Sequence, residues 1–370
     1  MSVKLQNRTK ATEAEYRPPL MADIACLDRP DEMRALATQP SKAIARLVVF
    51  FGLIILLAFA LNSVITTGLR RIKTSTYGDW NRVMQGRVNA DVIISGSSRA
   101  ASHYDPRAIE DSTGYKAFNL GQNGSQTDVQ LAVLKTYLEH NQKPRLIIHN
   151  LDAFTFVTTR EVFNPALYVP YIKDPEMYQT LKNISPDFVK GRYVPLYGYV
   201  VQDMNFAWIL GIKNLMGLSP VENHFDGFAP QTKRWTGDFQ SFKANNPNGV
   251  SFAIEPKGMQ VVEQLIRLCQ DNGIKLIFVY SPEYAEMQSL ETNRKQIFAE
   301  FHSLSVHYHV PVWDYSGWKY AGDRDLFYNS QHLNSDGAAL FSADVAARLK
   351  EYLSSQPSPA AVSELVSAQQ

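Results

Sequence analysis

A serine hydroxyl becomes a nucleophile only when a neighbouring base accepts its proton, and this chain carries both halves of such a device at opposite ends. Gly96-Ser97-Ser98 leaves a compact apolar run, Asp91-Val92-Ile93-Ile94-Ser95, that reads as a buried parallel strand. A small-residue turn there puts a serine at the strand's carboxyl end, where open α/β sheets build their sites. Ser98 is the better nucleophile candidate than Ser97, because it lies further out of the strand and its own backbone N–H can point into the same pocket. Asn329-Ser330-Gln331-His332-Leu333-Asn334 opens a helix near the other end, so His332 can return to the same edge as the base. Glycine and serine also suit ordinary turns, and a lone histidine is usually structural. The pair, in this order and framed by one α/β pattern, points to acyl transfer.

Two further segments belong to the same edge. Asn119-Leu120-Gly121-Gln122-Asn123-Gly124 follows the second strand. Its glycines let backbone N–H groups approach a ligand, and donors aimed at an oxyanion stabilise acyl-transfer transition states. The spacing is not that of a dinucleotide motif. Arg145-Leu146-Ile147-Ile148-His149-Asn150-Leu151-Asp152 ends the third strand. Asn150 or Asp152 can reach the pocket, Asn150 as an amide donor to the oxyanion, whereas His149 reads as a packed, hydrogen-bonded histidine. No histidines show H-E-x-x-H or comparable metal spacing, and His302, His307 and His309 suit a helix end and a solvated loop. Neither a metal nor a cofactor is expected.

These residues need a scaffold, and the pattern supplies one. Strands are expected at 91–95, 116–120, 145–151, 275–280 and 310–314, with helices at 106–111, 127–141, 259–272, 284–305 and 335–352. Gly273 offers a C-cap to the third of these helices. Such alternation predicts an α/β fold with a doubly wound, flavodoxin-like parallel sheet. The interruption at 153–256 is too long for a simple connection and reads as an inserted subdomain or lid. Its aromatics, Tyr168, Tyr171, Tyr178, Tyr193, Tyr197, Tyr199, Trp208 and Trp235, suit either a sugar-stacking cleft or, more simply, the insert's own core.

Lysine plus arginine (37) balance aspartate plus glutamate (36) among 370 residues, a net charge of +1. That gives no electrostatic case for nucleic acid as a partner. The two cysteines, Cys26 and Cys269, imply no disulfide framework. Leu47 to Leu69 holds no charged residue and matches the roughly 20 residues that span a bilayer. Arg29, Arg34, Lys42 and Arg46 on one side and Arg70, Arg71, Lys73 and Arg82 on the other leave the orientation undecided by charge. The expected organisation is a flexible tail at 1–46, a transmembrane helix at 47–69, a connector at 70–90, a domain at 91–354 with its insertion at 153–256, and a tail at 355–370.

Gly96-Ser97-Ser98, the Asn119–Gly124 block, the end of the third strand and Asn329–Asn334 resemble, in order, the four blocks of the SGNH/GDSL-type hydrolases. The resemblance covers most of 91–352 apart from the insertion. It is closest to the membrane-anchored branch that includes alginate O-acetylation proteins and the D-alanyl-transfer protein of teichoic acid synthesis. The resemblance implies Ser98 as nucleophile, His332 as base, and an oxyanion hole from the Ser98 and Gly124 N–H groups with Asn150. It also implies a polysaccharide or glycan substrate, a membrane-embedded acyl-transfer partner, and a single-pass protein of the bacterial inner membrane with its C-terminal domain periplasmic. Two departures stand out. The third block reads His149-Asn150-Leu151-Asp152 where the family has Gly-x-Asn-Asp. Asn329 occupies the position of the usual aspartate, so Asp325 or a backbone carbonyl becomes an alternative partner for His332. The expected function is therefore an O-acyltransferase or esterase acting on acyl, chiefly acetyl, groups. The alternative is a weak or inactive polysaccharide-binding scaffold subunit of the same fold.

Overall fold

The computed structural model describes residues 30–200, 206–219 and 223–355; Cys26 and the outer parts of both expected tails lie outside them. The chain divides into two compact units, 1–57 and 58–370. In the first, the described residues belong to helix α1 (Pro30–Arg70), whose later part enters the second unit. Residues 42–57 are exposed throughout. The stretch Lys42–Arg70, 29 residues whose most apolar 18-residue window has a mean hydropathy of 2.8, is long and apolar enough to cross a membrane. The helix starts well before the apolar run, so residues 30–46 of the expected tail are helical, with Pro30 at the favoured first position.

The second unit opens on a surprise. Residues 70–90, expected as a connector, contain α2 (Ser75–Met84), which buries Tyr77, Trp80 and Val83. Their spacing of three puts them on one helical face, packed in the same core as Ile65 and Leu69 of α1. Then follow β1 (Val92–Ser95), α3 (Ser98–His103), α4 (Pro106–Thr113), β2 (Ala117–Asn119), α5 (Thr127–His140) and β3 (Leu146–Leu151). The insertion holds α6 (Pro175–Ile184), α7 (Asp187–Tyr193), α8 (Tyr197–Val200), α9 (Ala207–Leu215) and α10 (Asp238–Asn245). The chain closes with α11 (Pro256–Asp271), β4 (Lys275–Tyr280), α12 (Ala285–Gln288), α13 (Arg294–Tyr308), β5 (Val312–Asp314) and α14 (Ser335–Ser355).

The five strands pair in the order β2-β1-β3-β4-β5, every pair parallel. This is the flavodoxin-like order, whose switch point lies between β1 and β3. All residues of β1 and β3 are buried, which is why those strands read as continuous apolar runs rather than alternating ones. Alternate side chains feed two cores. Ile93, Phe118, Ile147 and Phe278 pack toward α5, α11 and α13, whereas Ile94, Ile148, Ile277 and Val279 pack toward α4 and α14.

One expected helix is broken. Residues 284–305 form α12 and α13 with an irregular segment between them. There Thr292 N–H donates to Val250 O, and the Asn293 side chain bonds both backbone polar groups of Phe252. The end of the insertion thus draws those residues out of helical pairing. The aromatics resolve mainly as core: Tyr168, Tyr171 and Tyr199 are buried, and Trp235 packs on Tyr284 with 4.9 Å between ring centroids.

Asn334 fixes the start of α14. Its Oδ1 accepts the N–H groups of Asp336 and Gly337 at 3.1 Å each, and its Nδ2 donates to Asp325 O at 2.6 Å. Asn334→Ala removes the cap and leaves a carbonyl unpaired, so it is expected to cost about 1–2 kcal/mol. For a domain of this size that is a drop of roughly 2–8 °C in melting midpoint, readable by thermal unfolding. An unchanged midpoint would refute the capping role.

Candidate active site

Gly96, at φ +145°, turns the chain out of β1 in a conformation that favours glycine. A Cβ there would come within 2.9 Å of the Asn150 and Ala100 side chains. Ser97 then caps α3, its buried hydroxyl accepting Arg99 N–H at 3.2 Å. Ser98 is the first residue of α3, half-buried, with a backbone N–H that has no intrahelical acceptor at that position. The two serines are thereby separated: Ser97 is structural, and Ser98 faces outward.

Ser98 Oγ lies 2.7 Å from His332 Nε2. On the other side of the ring, His332 Nδ1 lies 2.9 Å from Asn329 Oδ1. The same oxygen accepts the backbone N–H groups of Gln331 at 3.0 Å and His332 at 2.9 Å. Those two donors require an oxygen, not an amide NH2, at that place, which settles the orientation of the Asn329 side chain. His332 Nδ1 must then carry the proton and donate it to Asn329. Nε2 is left with its lone pair toward Ser98, so the serine O–H donates to it. This is the tautomer a general base needs. Tyr328 stacks on the imidazole with 5.2 Å between centroids and a 20° tilt. Burial first, and then the positive charge of Arg99, push the His332 pKa down to about 4, so the ring is neutral at physiological pH.

Hydrogen bonds thus join Ser98, His332 and Asn329, and among the described residues none joins Gly124 or Asn150 to them. The Asn150 amide donates to Leu151 O and Asp152 Oδ1, and its oxygen accepts from Tyr104 O–H at 2.8 Å. Asn150 shares a strand face with Ile148, so its side chain supports the turn beneath Gly96, and no hydrogen bond links it to Ser98 or His332 among the described residues. Gly124, at φ +64°, sits under Phe163, where a Cβ would approach that ring within 2.6 Å. Its loop is bound to the β1 turn through Leu120 N–H to Ile94 O and Gln122 N–H to Gly96 O. Asn119 fastens the same loop to α3 by donating to Ala100 O and Tyr104 O. Among the described residues no bond joins Asp325 to His332; the Asp325 carbonyl receives Asn334 instead.

Sequence reasoning missed the buried shell behind the pair. Arg99, next to the serine, is buried against Asp152 at 3.3 Å and Glu283 at 4.0 Å, donates to Ser281 O, and lies 4.6 Å from the centre of the Tyr280 ring. Burial raises the Asp152 pKa, with Arg99 opposing it. His103 is fully buried, its Nε2 accepting Leu333 N–H at 3.0 Å, so its Nδ1 proton points to Ser281 Oγ at 3.1 Å. It joins the nucleophile helix to the strand of chain that carries His332. Burial, then Arg99 and His332, hold its pKa well below the usual histidine value. The insertion also borders the site: Ala229 N–H donates to Ala101 O, Thr236 N–H to Tyr328 O, and Gln231 O accepts Ser335 N–H. No local signal marks these contacts, since each joins residues far apart in sequence.

His149 is the buried core histidine that its place in the strand suggests, 3.3 Å from Ser95 Oγ, with burial lowering its pKa to about 3. Cys269 is a buried free thiol. Far along the chain from the serine, Glu139, His140 and Asp174 place three ligand-type atoms within 4.8 Å of one another. Asp174 is already engaged, by His140 at 2.9 Å and by Met177 N–H as the cap of α6.

No protein-family model matches this chain, and no curated protein matches it in sequence. Among solved structures it is similar to a candidate acylhydrolase of Bacteroides fragilis, with 10% identity over 71% of this chain and 86% of that one, at a TM-score of 0.34. It is likewise similar to a GDSL-like lipase of Bacteroides thetaiotaomicron, with 10% identity over 70% and 88% of the two chains and a TM-score of 0.33. At such scores the likeness assigns neither family nor activity.

Proposed function

We propose that this chain is a membrane-anchored serine acyl-transfer enzyme of the SGNH/GDSL type, acting on acyl, chiefly acetyl, groups of a cell-envelope polysaccharide or exopolysaccharide. The observation that carries the reading is the single-file arrangement of Ser98 Oγ, His332 and Asn329 Oδ1, with contacts of 2.7 and 2.9 Å and only one self-consistent tautomer. Ser98 Oγ attacks the acyl carbon of an ester while its proton passes to His332 Nε2. The tetrahedral oxyanion then collapses, the ester C–O bond breaks, and the leaving oxygen takes the proton from His332. The acyl-serine is attacked in turn by a sugar hydroxyl or by water. His332 removes the incoming proton and returns it to Ser98 Oγ. The Ser98 N–H, free of an intrahelical partner, is the donor best placed to face the oxyanion.

Covalent labelling by a serine-directed fluorophosphonate tests this. The full chain is expected to label, and His332→Ala to lose the label with the fold intact. No labelling of a folded chain would overturn the proposal. That result would favour the scaffold reading, which draws on the neutral Asn329 and on the weak basicity of His332.

The membrane anchor is part of the same proposal: residues 1–46 lie in the cytoplasm and the domain after residue 70 in the periplasm. A reporter enzyme that matures only outside the cytoplasm is expected to be active when fused after Gln370. An inactive fusion, beside an active cytoplasmic reporter at the same position, would invert the topology.

A further inference from the structure

We propose that the α8–α9 part of the insertion is a second membrane-contacting surface, lying in the lipid interface beside the anchor and holding the domain against the bilayer; this rests on the anchored reading above. The end of α1 and this part of the insertion are bound into one piece. Leu196 N–H donates to Asn62 Oδ1 at 2.9 Å, Thr66 Oγ1 meets Tyr199 O–H at 2.9 Å, and Asn214 Nδ2 donates to Gly68 O at 2.8 Å. Gly68 and Gly211 let the two helices touch backbone to backbone, since a Cβ on Gly68 would run into the Gly211 carbonyl. Close approach through small residues is how helices pack where apolar surroundings offer no other driving force.

The other side of this piece is unusual for a surface meant for water. Residues 206–218 carry one charge, Lys213. Only Ala207 and Gly211 of α9 are buried, while Trp208, Leu215, Met216 and Leu218 stand exposed, joined by Tyr193 and Val200 from the preceding segment. Met216 and Val200 are 69% and 68% exposed. The core takes Ala207 and Gly211 and half-buries Leu210 and Ile212, and an apolar face left over beyond such a core contact belongs against protein or in lipid. Phe59, Leu61 and Val64 of α1, in the same unit and the same bound piece, are exposed apolar side chains as well. Those α1 residues belong to the stretch that is long and apolar enough to cross a membrane, which selects lipid as the occupant. Tyr193 and Trp208 are the ring types that settle at the headgroup level, and an apolar helix lying flat is buried to the depth of its face.

The test uses the full chain reconstituted into phosphatidylcholine–phosphatidylglycerol vesicles whose acyl chains are brominated. A bimane fluorophore is placed in a Cys26→Ser background at one of three positions: Leu56→Cys in α1, Met216→Cys after α9, or Asp111→Cys on the exposed side of α4. The Leu56 label is expected to be strongly quenched by the lipid and the Asp111 label hardly at all. The Met216 label is expected to show about half or more of the Leu56 quenching, and little quenching by aqueous iodide, as an interfacial site requires. A quenched Leu56 label with a Met216 label that behaves like Asp111 would overturn this proposal and leave the anchor standing. A Met216 label shielded from both lipid and iodide would overturn it in favour of a protein covering the patch. An unquenched Leu56 label would overturn the anchor and this proposal together.

Discussion

Ser98→Ala is expected to lower ester cleavage about a thousandfold or more while leaving the melting midpoint nearly unchanged. Removing the nucleophile of a serine–histidine device leaves only the rate contributed by binding and oxyanion donors. Its structural cost is small, because Ser98 is half-buried and its hydroxyl bonds only the similarly half-buried His332 among the described residues. Ser97→Ala is the informative partner. It removes the α3 cap, where Ser97 accepts Arg99 N–H, so about 1 kcal/mol of stability should go while most of the activity remains. His332→Ala should match Ser98→Ala, and the double variant should be no worse than either, since residues that act as a unit do not add. The measurements are hydrolysis of a small acetyl ester and thermal unfolding for all four proteins. A Ser98→Ala protein with near-normal turnover, or losses that simply add, would remove Ser98 from the mechanism.

What the sequence discloses here follows from range. β1 is legible because four consecutive buried residues leave an unbroken apolar run, and Ser98 because small residues directly follow it. His332 is legible because its block sits just before α14 in an α/β pattern whose strands end on one edge. α2 is not, although Tyr77, Trp80 and Val83 lie on one face, because it follows directly on an apolar span that invites the reading of a linker. Asn150 is legible as an amide at a strand end, but its partners, Leu151 O, Asp152 Oδ1 and Tyr104 O–H, are set by register. Strand side chains alternate, and a one-residue difference at the end of β3 decides whether an amide reaches the pocket or props the turn. The Arg99 shell is invisible for a different reason. Asp152 and Glu283 follow β3 and β4, and only the parallel order β1-β3-β4 brings those two ends to the arginine beside the serine. Burial of those three charges is a property of the assembled sheet edge, with no composition or period to announce it.

That shell also explains why residue 329 should control the chemistry. Transferring the Ser98 proton makes an imidazolium, and here that cation forms in a buried place with Arg99 nearby and a neutral amide at Nδ1. A pKa of about 4, against an ordinary 6.5, corresponds to roughly 3 kcal/mol against the protonated ring. Asn329→Asp puts a carboxylate where the amide oxygen now accepts three N–H groups, the two backbone donors and His332 Nδ1. Three donors favour the ionised form, so the carboxylate would be charged and would raise the His332 pKa. Recovering ~1.4 kcal/mol of that cost is tenfold in rate, and turnover of a small ester at neutral pH is expected to rise tenfold or more. The sign reverses in acid. The wild-type base stays unprotonated down to about pH 4, so kcat/KM should hold on the acid side until that point. The aspartate variant, with its pKa raised, should lose activity at a higher pH, so the two profiles cross. Asn329→Ala keeps neither the backbone turn nor the Nδ1 acceptor and should fall below both at every pH. A purely structural role for residue 329 would move the height of these profiles and not their acid limb. Coincident acid limbs for wild type and Asn329→Asp would therefore mean that something other than residue 329 sets the basicity of His332. A crossing would mean that the amide keeps a weak base weak, which slows water as an acceptor as well as sugar.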